Sequence, residues 1–372
     1  MPYGNAFALG IEEELLLVHA HTLELANDAN RLIGRVAPAA GAVKHELYGS
    51  LIECSTPVVR NVPEGMETLA SLRAALGDAG ATLIGAGLHP SAAFGDVRHA
   101  PTPRTQAIRE SMRGLVERTP TAALHVHVGM PDADTAIDVC NRLRAFLPLF
   151  QALAANSAYW HGVDSGFASA RSVLFRGFPR STIPPMFAGW EHYEDIVAWC
   201  LRTGDLPDYT YLWWDVRPTP HLGTVEVRAM DAQSRLESVA GIAALVHALA
   251  FACADGHDEA TPPSEALMES SFRAGRDGLD ATVWWRGALM PMREIAGDAL
   301  MVARPYAREL DGEDALDEID RMLREGGGAD RMREAHAAGG MEGVLSRLAE
   351  ETIPYSGRVG SLIFDPHNVT DP

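Results

Sequence analysis

Hydrophobic and polar positions alternate in several short runs of the first 231 residues, which is the pattern of strands with one buried face. The predicted strands are Phe7–Val18, Thr82–Leu88, Ala122–Gly129, Tyr209–Arg217 and Leu222–Met230. The last two are joined by a proline-containing connection, which predicts a hairpin. The run HELYGSLIECSTP predicts another hairpin that turns at Tyr48–Ser50, with Glu46 and Glu53 on its two arms.

Helical periodicity fills much of the remaining chain. The predicted helices are Pro63–Ala79, Thr105–Arg118, Asp132–Asn156, Glu191–Arg202, Leu236–Ala254 and Ser264–Arg276, with several more up to about Glu351. Between two of them, Ser157–Pro185 is rich in Gly, Ser, Pro and Arg and has no clear helix or strand pattern. Loops of that length inside a compact domain are usually functional.

The order of these elements predicts the fold class. Strands concentrate before residue 231, helices follow it, and no steady β-α-β rhythm connects them. This order favours an α+β fold with a largely antiparallel sheet backed by helices. We expect a single catalytic domain over residues 1–372, strand-rich in 1–231, mostly helical in 232–353 and irregular in the tail 354–372.

Charge and cysteine content narrow the class of protein. The chain has 31 Lys and Arg residues against 50 Asp and Glu, a net charge of −19, which disfavours nucleic acid and anionic membranes as partners. Its only lysine is Lys44, so arginine is expected to bind anions. Four cysteines without a C-x-x-C motif, no signal peptide and no bilayer-spanning apolar run predict a cytoplasmic protein with free thiols.

Pairs of ionisable residues two positions apart mark the predicted strands, and such side chains share one face. The pairs are Glu12 with Glu14, His125 with His127, Asp215 with Arg217, and Glu226 with Arg228. Any single pair is compatible with a strand face in solvent. Together they are the residue types that bind metals and phosphates, and they predict a concave polar side of the sheet.

Clustered carboxylates remain ionised together only when a cation compensates their charge. Oxygen ligands select Mg²⁺ or Mn²⁺, and such ions can bridge the β- and γ-phosphates of a nucleotide. Arg171 and Arg228 are then candidates for holding phosphate oxygens or a substrate carboxylate, and Arg176 and Arg180 are further candidates. The chain contains no P-loop motif, so ATP would be bound by a different scaffold.

Five motifs resemble one known family. They are GIEEELLLV, HELYGSLIECSTPV, LHVHVGMPD, NSAYWHGVDSGFASARSVLFRGFPRS and WDVRPTPHLGTVEVRAMDAQS. In this order they resemble the carboxylate–amine ligases, also called the glutamate–cysteine ligase type 2 family, from about Phe7 to about Glu351. The resemblance implies a glutamine-synthetase-like fold, in which a curved antiparallel sheet forms a funnel that holds ATP and two or three Mg²⁺ ions.

The resemblance also implies roles for individual residues. The candidate metal ligands are Glu12, Glu14, Glu46, Glu53, His125 and Glu226. Phosphate or substrate contacts are implied for His127, Arg171 and Arg228. The implied reaction joins a carboxylate, expected to be that of glutamate, to an amine such as that of cysteine through an acyl phosphate. Because no protein nucleophile is needed, Cys54 is interpreted as a small core residue. A homodimer is also implied.

Two alternatives remain open at this point. The H-x-H pair on one strand is compatible with a zinc hydrolase of the amidohydrolase type, although no H-x-x-E-H or H-E-x-x-H motif accompanies it. A non-catalytic relative that binds a nucleotide or an amino acid is the other. The remaining histidines, among them His45, His161 and His221, are interpreted as structural.

Overall fold

The computed structural model describes residues 3–353, so the predicted irregular tail 354–372 lies outside the described residues. The strands are β1 (Leu9–Val18), β2 (Ala42–His45), β3 (Leu51–Ser55), β4 (Thr82–Ile84), β5 (Ala123–Gly129), β6 (Tyr159–Trp160), β7 (Val163–Asp164), β8 (Val216–Thr219), β9 (Thr224–Asp231), β10 (Thr282–Trp285) and β11 (Ala288–Pro291). The helices are α1 (Ala29–Ile33), α2 (Val62–Asp78), α3 (Pro103–Met112), α4 (Ala133–Leu143), α5 (Leu147–Leu153), α6 (Ala170–Phe175), α7 (Trp190–Gly204), α8 (Leu236–Ala254), α9 (Ser264–Asp277), α10 (Met292–Glu309), α11 (Asp317–Glu325) and α12 (Gly328–Thr352).

A seven-stranded open sheet organises the fold. Its strands follow the order β2-β3-β1-β5-β9-β8, and β4 pairs with β1 beside this path. Every pairing in it is antiparallel. The prediction of an α+β fold with a largely antiparallel sheet is therefore confirmed.

One face of this sheet is apolar and carries the core. Ile11, Val126 and Val227 point to this face from the three central strands and are almost fully buried. They pack in one cluster with residues of α2, α4, α8 and α10, including Leu72 and Ile242. Because strand side chains alternate, the residues between these apolar positions face the other side of the sheet. That cluster spans both halves of the chain, which supports the predicted single domain.

Helix α8 corrects one sequence-based statement. Leu236–Ala254 is long and apolar enough to cross a bilayer by length and composition, with a mean hydropathy of 1.8 over its best window. In the folded chain 83% of that window is buried inside the protein, against the other helices and β5. A helix that is apolar on all sides is expected at the centre of a large core, and α8 occupies this position.

A buried ion pair fixes the first strand to the rest of the fold. Glu13 and Arg73 are both fully buried, and the guanidinium of Arg73 binds the carboxylate through Nε at 2.9 Å and Nη2 at 2.6 Å. Arg73 also donates to the backbone carbonyls of Gln233, Ser234 and Thr352. One side chain on α2 therefore holds β1, the segment after β9 and the end of α12 together.

Two helix predictions differ from the structure. The predicted helix Asp132–Asn156 is interrupted by a 3₁₀ turn at Arg144–Phe146, which separates α4 from α5. Pro148 explains the break, because its nitrogen cannot donate to the carbonyl four residues earlier. The segment Ser157–Pro185 was expected to lack regular structure, but it contains the hairpin β6–β7 and helix α6.

Several strand predictions also differ from the structure. The strand expected from Tyr209 begins only at Val216, because residues 209–211 form a 3₁₀ turn. The strand expected over Thr82–Leu88 ends at Ile84. Beyond Ser234 the chain was expected to be almost entirely helical, yet it includes the β10–β11 hairpin.

Candidate active site

A cleft of about 340 Å³ opens on the polar face of the sheet. Its walls come from β1, β2, β3, β5, β8 and β9, from helices α3 and α6, and from the segments that follow β2 and precede β8. All nine site residues singled out in the sequence line it: Glu12, Glu14, Glu46, Glu53, His125, His127, Arg171, Glu226 and Arg228. The sheet thus brings together side chains that are separated by up to 216 positions in the chain; their roles as ligands remain predictions.

Two arginines and a histidine surround a single carboxylate at one end of the cleft, which we call the arginine end (Arg217, Glu226, Arg228 and His127). Nε of Arg217 lies 2.7 Å from Oε2 of Glu226, and Nη1 of Arg228 contacts Oε1. Burial raises the pKa of Glu226, but the charges of Arg217 and Arg228 outweigh it and hold that pKa well below its usual range. This carboxylate is ionised with the protein's own counter-charges.

The two histidines of β5 lie between this end and β1. Nδ1 of His125 is 3.4 Å from Oε2 of Glu12, and Nε2 of His127 is 3.5 Å from the same oxygen. Burial and the charge of Arg228 lower the pKa of His125 to about 4, so His125 is neutral near pH 7 and its ring nitrogens can act as ligands. Burial also lowers the pKa of His127, but Glu226 and Glu12 outweigh it and raise that pKa.

Carboxylates dominate the opposite end, which we call the carboxylate end (Glu14, Glu46, Glu53 and Lys44). Burial, followed by the charge of Glu46, raises the pKa of Glu14 well above its usual value. Burial also raises the pKa of Glu46, and burial together with Glu12 and Glu46 raises the pKa of Glu53 to about 7. The only basic group that hydrogen-bonds to Glu53 among the described residues is Lys44, at 3.3 Å.

Arg171 reaches the cleft from the first turn of α6. Its Nη1 lies 3.6 Å from Oδ1 of Asp231, the last residue of β9. The buried carboxylate of Asp231 also accepts hydrogen bonds from Ser157 Oγ at 2.7 Å and Ser169 Oγ at 2.9 Å. Ser169 caps α6 through the backbone nitrogen of Ser172. Asp231 therefore anchors both the helix and the arginine that it presents to the cleft.

Three sequence-based candidates lie elsewhere. Asp215 precedes β8 instead of sharing a strand face with Arg217, and its carboxylate pairs with Arg176. Asp215 and Arg176 do not line the cleft. Arg180 does not line it either, and its Nε donates to the carbonyl of Tyr211. Arg176 and Arg180 are consequently unavailable as the phosphate contacts that the sequence suggested.

Other cleft residues were missed or judged structural. His45 and His221, interpreted as structural, line the same cleft, and so do Lys44, Arg104, Arg217 and Thr219. The sequence did contain a signal for Arg217, because Arg217 belongs to an ionisable pair on the predicted strand that precedes the strand of Glu226 and Arg228. Arg104 had none, since it begins a helix distant in sequence from every motif.

The donor set fits a divalent cation. Nε2 of His127 is buried without a hydrogen-bond partner among residues 3–353, 3.5 Å from Glu12 and 3.7 Å from Glu226. The three ligand atoms of Glu12, His127 and Glu226 lie within 4.8 Å of one another. At the carboxylate end, burial raises the pKa values of Glu14, Glu46 and Glu53, and neighbouring carboxylates add to this effect, so a bound cation would favour their ionised forms. Carboxylate oxygens with few nitrogens are the ligands preferred by Mg²⁺ and Mn²⁺.

Cys54 lies on β3 next to Glu53 but faces the opposite side of the sheet. It is fully buried in the main core cluster, and burial raises the pKa of its thiol well above the usual value. The prediction that Cys54 is a core residue is confirmed. All four cysteines are free thiols.

Comparison with known proteins identifies the family. Residues 8–351 match the model of glutamate–cysteine ligase family 2. A Rubrobacter xylanophilus protein, provisionally named glutamate–cysteine ligase 2-1, is 36% identical over 94% of this chain and 96% of its own length. A glutamate–cysteine ligase from Halobacterium salinarum is 36% identical over 75% of this chain and 81% of its own length.

A solved structure supports the same fold. The glutamate–cysteine ligase of Francisella tularensis, in complex with AMP, is 14% identical, has a TM-score of 0.71, and is matched over 95% of this chain and 90% of its own. At this identity the likeness shows the fold alone. The family model spans nearly the whole chain, and the resemblance read from five motifs is confirmed. The chain belongs to glutamate–cysteine ligase family 2 and is an ATP-dependent ligase that joins a carboxylate to an amine.

Proposed function

We propose that this chain joins L-glutamate to L-cysteine with ATP and Mg²⁺, giving γ-glutamylcysteine, ADP and phosphate. The observation that carries the proposal is the cleft itself, where six candidate ligands (Glu12, Glu14, Glu46, Glu53, His125 and Glu226) meet cationic side chains on one sheet face. The names of the relatives support the two amino acids. The AMP bound by the Francisella enzyme supports a nucleotide in this fold.

The reaction balances in two steps. An oxygen of the glutamate side-chain carboxylate attacks the γ-phosphorus of ATP, and ADP leaves, which gives an acyl phosphate. The cysteine amine then attacks the acyl carbon, phosphate leaves with the electrons of the broken C–O bond, and the amine nitrogen loses a proton. When bound, Mg²⁺ neutralises and orients the phosphate oxygens.

The chain's own residues supply the remaining electrostatics. We assign the binding of anionic oxygens to Arg171 and Arg228, and this assignment is supported by a buried Nε on each that has no hydrogen-bond partner among the described residues. A guanidinium can accommodate phosphate or carboxylate oxygens in a bidentate geometry. We assign to His127 a contact with phosphate or metal through Nε2. Arg217 orients Glu226 and is not free to contact substrate through Nε.

Phosphate release across pairs of amino acids and amines, with Mg²⁺ and ATP, tests this proposal. We expect the glutamate and cysteine pair to give phosphate and a product whose mass is that of γ-glutamylcysteine, and EDTA to stop both. Glu269→Gln is a control for loss of a carboxylate charge outside the cleft, because Glu269 is exposed on α9. Silence with every pair from folded protein contradicts the proposal, whereas bound zinc with ATP-independent turnover supports the hydrolase alternative.

Location and assembly are further proposals. Four free thiols and the burial of α8 support a cytoplasmic protein that does not span a membrane. The homodimer implied by the family resemblance stays a prediction. Light scattering on the protein as it elutes from a size-exclusion column, at micromolar concentration, tests the homodimer directly.

A further inference from the structure

Each edge of the central sheet places one basic side chain opposite one carboxylate. At the β8 edge, Arg217 is the cross-strand partner of Glu226 on β9. At the β2 edge, Lys44 is the cross-strand partner of Glu53 on β3. Lys44 is also the only lysine in a chain of 372 residues that otherwise uses arginine. The two edges therefore have the same charge pattern and differ in the type of cation.

The two cations are held very differently. The side chain of Arg217 is only 9% exposed, lies 2.7 Å from Glu226 and also donates to the carbonyl of Leu212 at 2.8 Å. The side chain of Lys44 is 53% exposed and lies 3.3 Å from Glu53, beyond the usual range of such hydrogen bonds. The ammonium has no other hydrogen-bond partner among the described residues. Arg217 is therefore fixed, whereas Lys44 is free to leave.

Chemistry explains why the loosely held cation is a lysine. A guanidinium binds a carboxylate through a rigid planar fork, whereas an ammonium is a compact charge on a flexible four-carbon chain. A divalent cation that binds Glu53 repels an ammonium a few ångströms away. Because the stem of Lys44 is half-exposed and lines the cleft, its ammonium can move without leaving the site.

We propose that Lys44 is an exchangeable counter-cation of the active site. Its ammonium pairs loosely with Glu53 in the metal-free protein, a divalent cation displaces it from Glu53, and the released ammonium then contacts a phosphate group of the nucleotide. This inference rests on the proposed function, because it needs metal and nucleotide in the same cleft. It adds a step that exchanges one cation for another before chemistry begins.

The single lysine makes the exchange directly observable. Reductive methylation with ¹³C-formaldehyde converts Lys44 to a dimethylammonium that keeps its charge and gives one side-chain NMR resonance, distinct from that of the α-amine. We expect Mg²⁺ alone to move this resonance toward the position of a solvated dimethyllysine. A non-hydrolysable ATP analogue added with Mg²⁺ should then move it away again. Lys44→Arg removes the resonance and so assigns it.

Glu53→Gln serves as the matched control for the spectrum. Without the carboxylate, the Lys44 resonance should lie at the solvated position before any metal is added and should not respond to Mg²⁺ alone. A resonance that stays at the Glu53-paired position throughout the Mg²⁺ titration, in protein that binds the metal, overturns the inference.

Affinities give a second, independent readout. Mn²⁺ binding by electron paramagnetic resonance should be about threefold or more tighter in Lys44→Met, because a competing charge is removed. The same variant should bind the ATP analogue with Mg²⁺ about tenfold more weakly, because one phosphate contact is lost. Lys44→Arg should weaken Mn²⁺ binding, since a guanidinium holds Glu53 more firmly. If Lys44 and Glu53 formed a static ion pair, Lys44→Met would not tighten Mn²⁺ binding and weaken nucleotide binding at the same time.

The possible failures are separable. Absence of Mn²⁺ binding to the wild-type protein contradicts the proposed function itself. Normal Mn²⁺ binding, combined with unchanged affinities in Lys44→Met, contradicts only the exchange at Lys44.

Discussion

The arginine end and the carboxylate end of the cleft both bury glutamate side chains, but the charge of these glutamates is compensated in different ways. At the arginine end, Glu226 is neutralised by Arg217 and Arg228, and its pKa is well below the usual range. At the carboxylate end, Glu14, Glu46 and Glu53 have raised pKa values and little compensation from the protein. At the first end the charge of Glu226 is already compensated in the folded chain. The second end is complete only when a cation or protons bind.

This difference separates residues that act in stability from residues that act in ligand binding. Removing a charge from a buried, paired group leaves its partners uncompensated, which is costly. Removing a charge from a group that repels its neighbours relieves strain in the metal-free protein. The same Glu→Gln change should therefore have opposite effects on folding at the two ends, although it damages turnover at both.

The largest effect is expected for Glu226→Gln. Two buried guanidiniums lose their counter-charge, so the free energy of unfolding should fall by about 3 kcal/mol and turnover by about a thousandfold or more. Urea unfolding of the metal-free protein and phosphate release measure the two effects. Unchanged stability would show that the arginines are neutralised in another way and that the two ends do not differ.

Glu53→Gln should have the opposite effect on stability to Glu226→Gln. We expect turnover to fall by about a hundredfold, because a candidate ligand loses its charge. The metal-free protein should at the same time gain about 1–2 kcal/mol of stability at pH 8, because an ionised carboxylate is no longer held beside Glu12 and Glu46. A clear loss of metal-free stability at pH 8 contradicts this assignment of the carboxylate end.

The pH dependence of stability should have a defined sign. The pKa of Glu53 is about 7 in the folded chain, against 4.5 as the reference value. Between these values Glu53 holds more protons in the folded chain than in the unfolded chain, so its contribution to the free energy of unfolding falls as the pH rises. From pH 5 to pH 8 without metal, we expect the wild-type protein to lose on the order of 1–3 kcal/mol relative to Glu53→Gln, which lacks this titration.

Thermal unfolding in EDTA and in Mg²⁺ checks this dependence. Saturating Mg²⁺ should restore stability most strongly above pH 7, where the carboxylates are ionised and can bind it. The raised pKa of His127 acts in the same direction, whereas the pKa values of His125 and His247, which burial lowers to about 4, act in the opposite direction below pH 6.5. The comparison with Glu53→Gln removes the contributions of all three histidines. A pH dependence between pH 5 and pH 8 in EDTA that is the same in the wild-type protein and in Glu53→Gln rules out an under-compensated Glu53.

The smallest effect on turnover is expected for Cys54→Ala. Cys54 follows Glu53 in the chain but faces the core, so the substitution should cost about 1 kcal/mol of stability and change turnover less than twofold. Phosphate release with glutamate and cysteine measures it. A large loss of turnover from a stably folded Cys54→Ala protein would reopen a nucleophilic role.

The sheet face was predictable, whereas the neighbours across the sheet were not. A period of two assigns Glu12, His125 and Glu226 to the polar face of their strands wherever a strand forms, so the set of candidate ligands follows from local patterning. Strand order and register depend on contacts between distant segments. The pairing of Arg217 with Glu226 is set by the β8–β9 register, and the sequence placed Asp215 on that same face incorrectly.

Other failures have local causes. Pro148 lies inside an otherwise helical pattern, and the continuity of apolar residues concealed the break that it produces. The expected loop after Asn156 contains α6, whose short helix is stabilised by the Ser169 cap and by the buried Asp231. The Ser169 cap is a local contact for which serine is a sequence signal. The contact with Asp231 has no such signal, because Asp231 lies 62 positions beyond Ser169.

The ion pair of Glu13 and Arg73 has a consequence for how the chain finds its native pairing. Glu12, Glu13 and Glu14 are three identical residues in succession, so polarity alone does not tell which of them belongs inside. A shift of β1 by one position would turn Glu12 and Glu14 toward the apolar helices, where a single guanidinium cannot serve both. Of the three glutamates, Arg73 binds only Glu13 and thereby selects the alignment in which Glu12 and Glu14 point into the cleft.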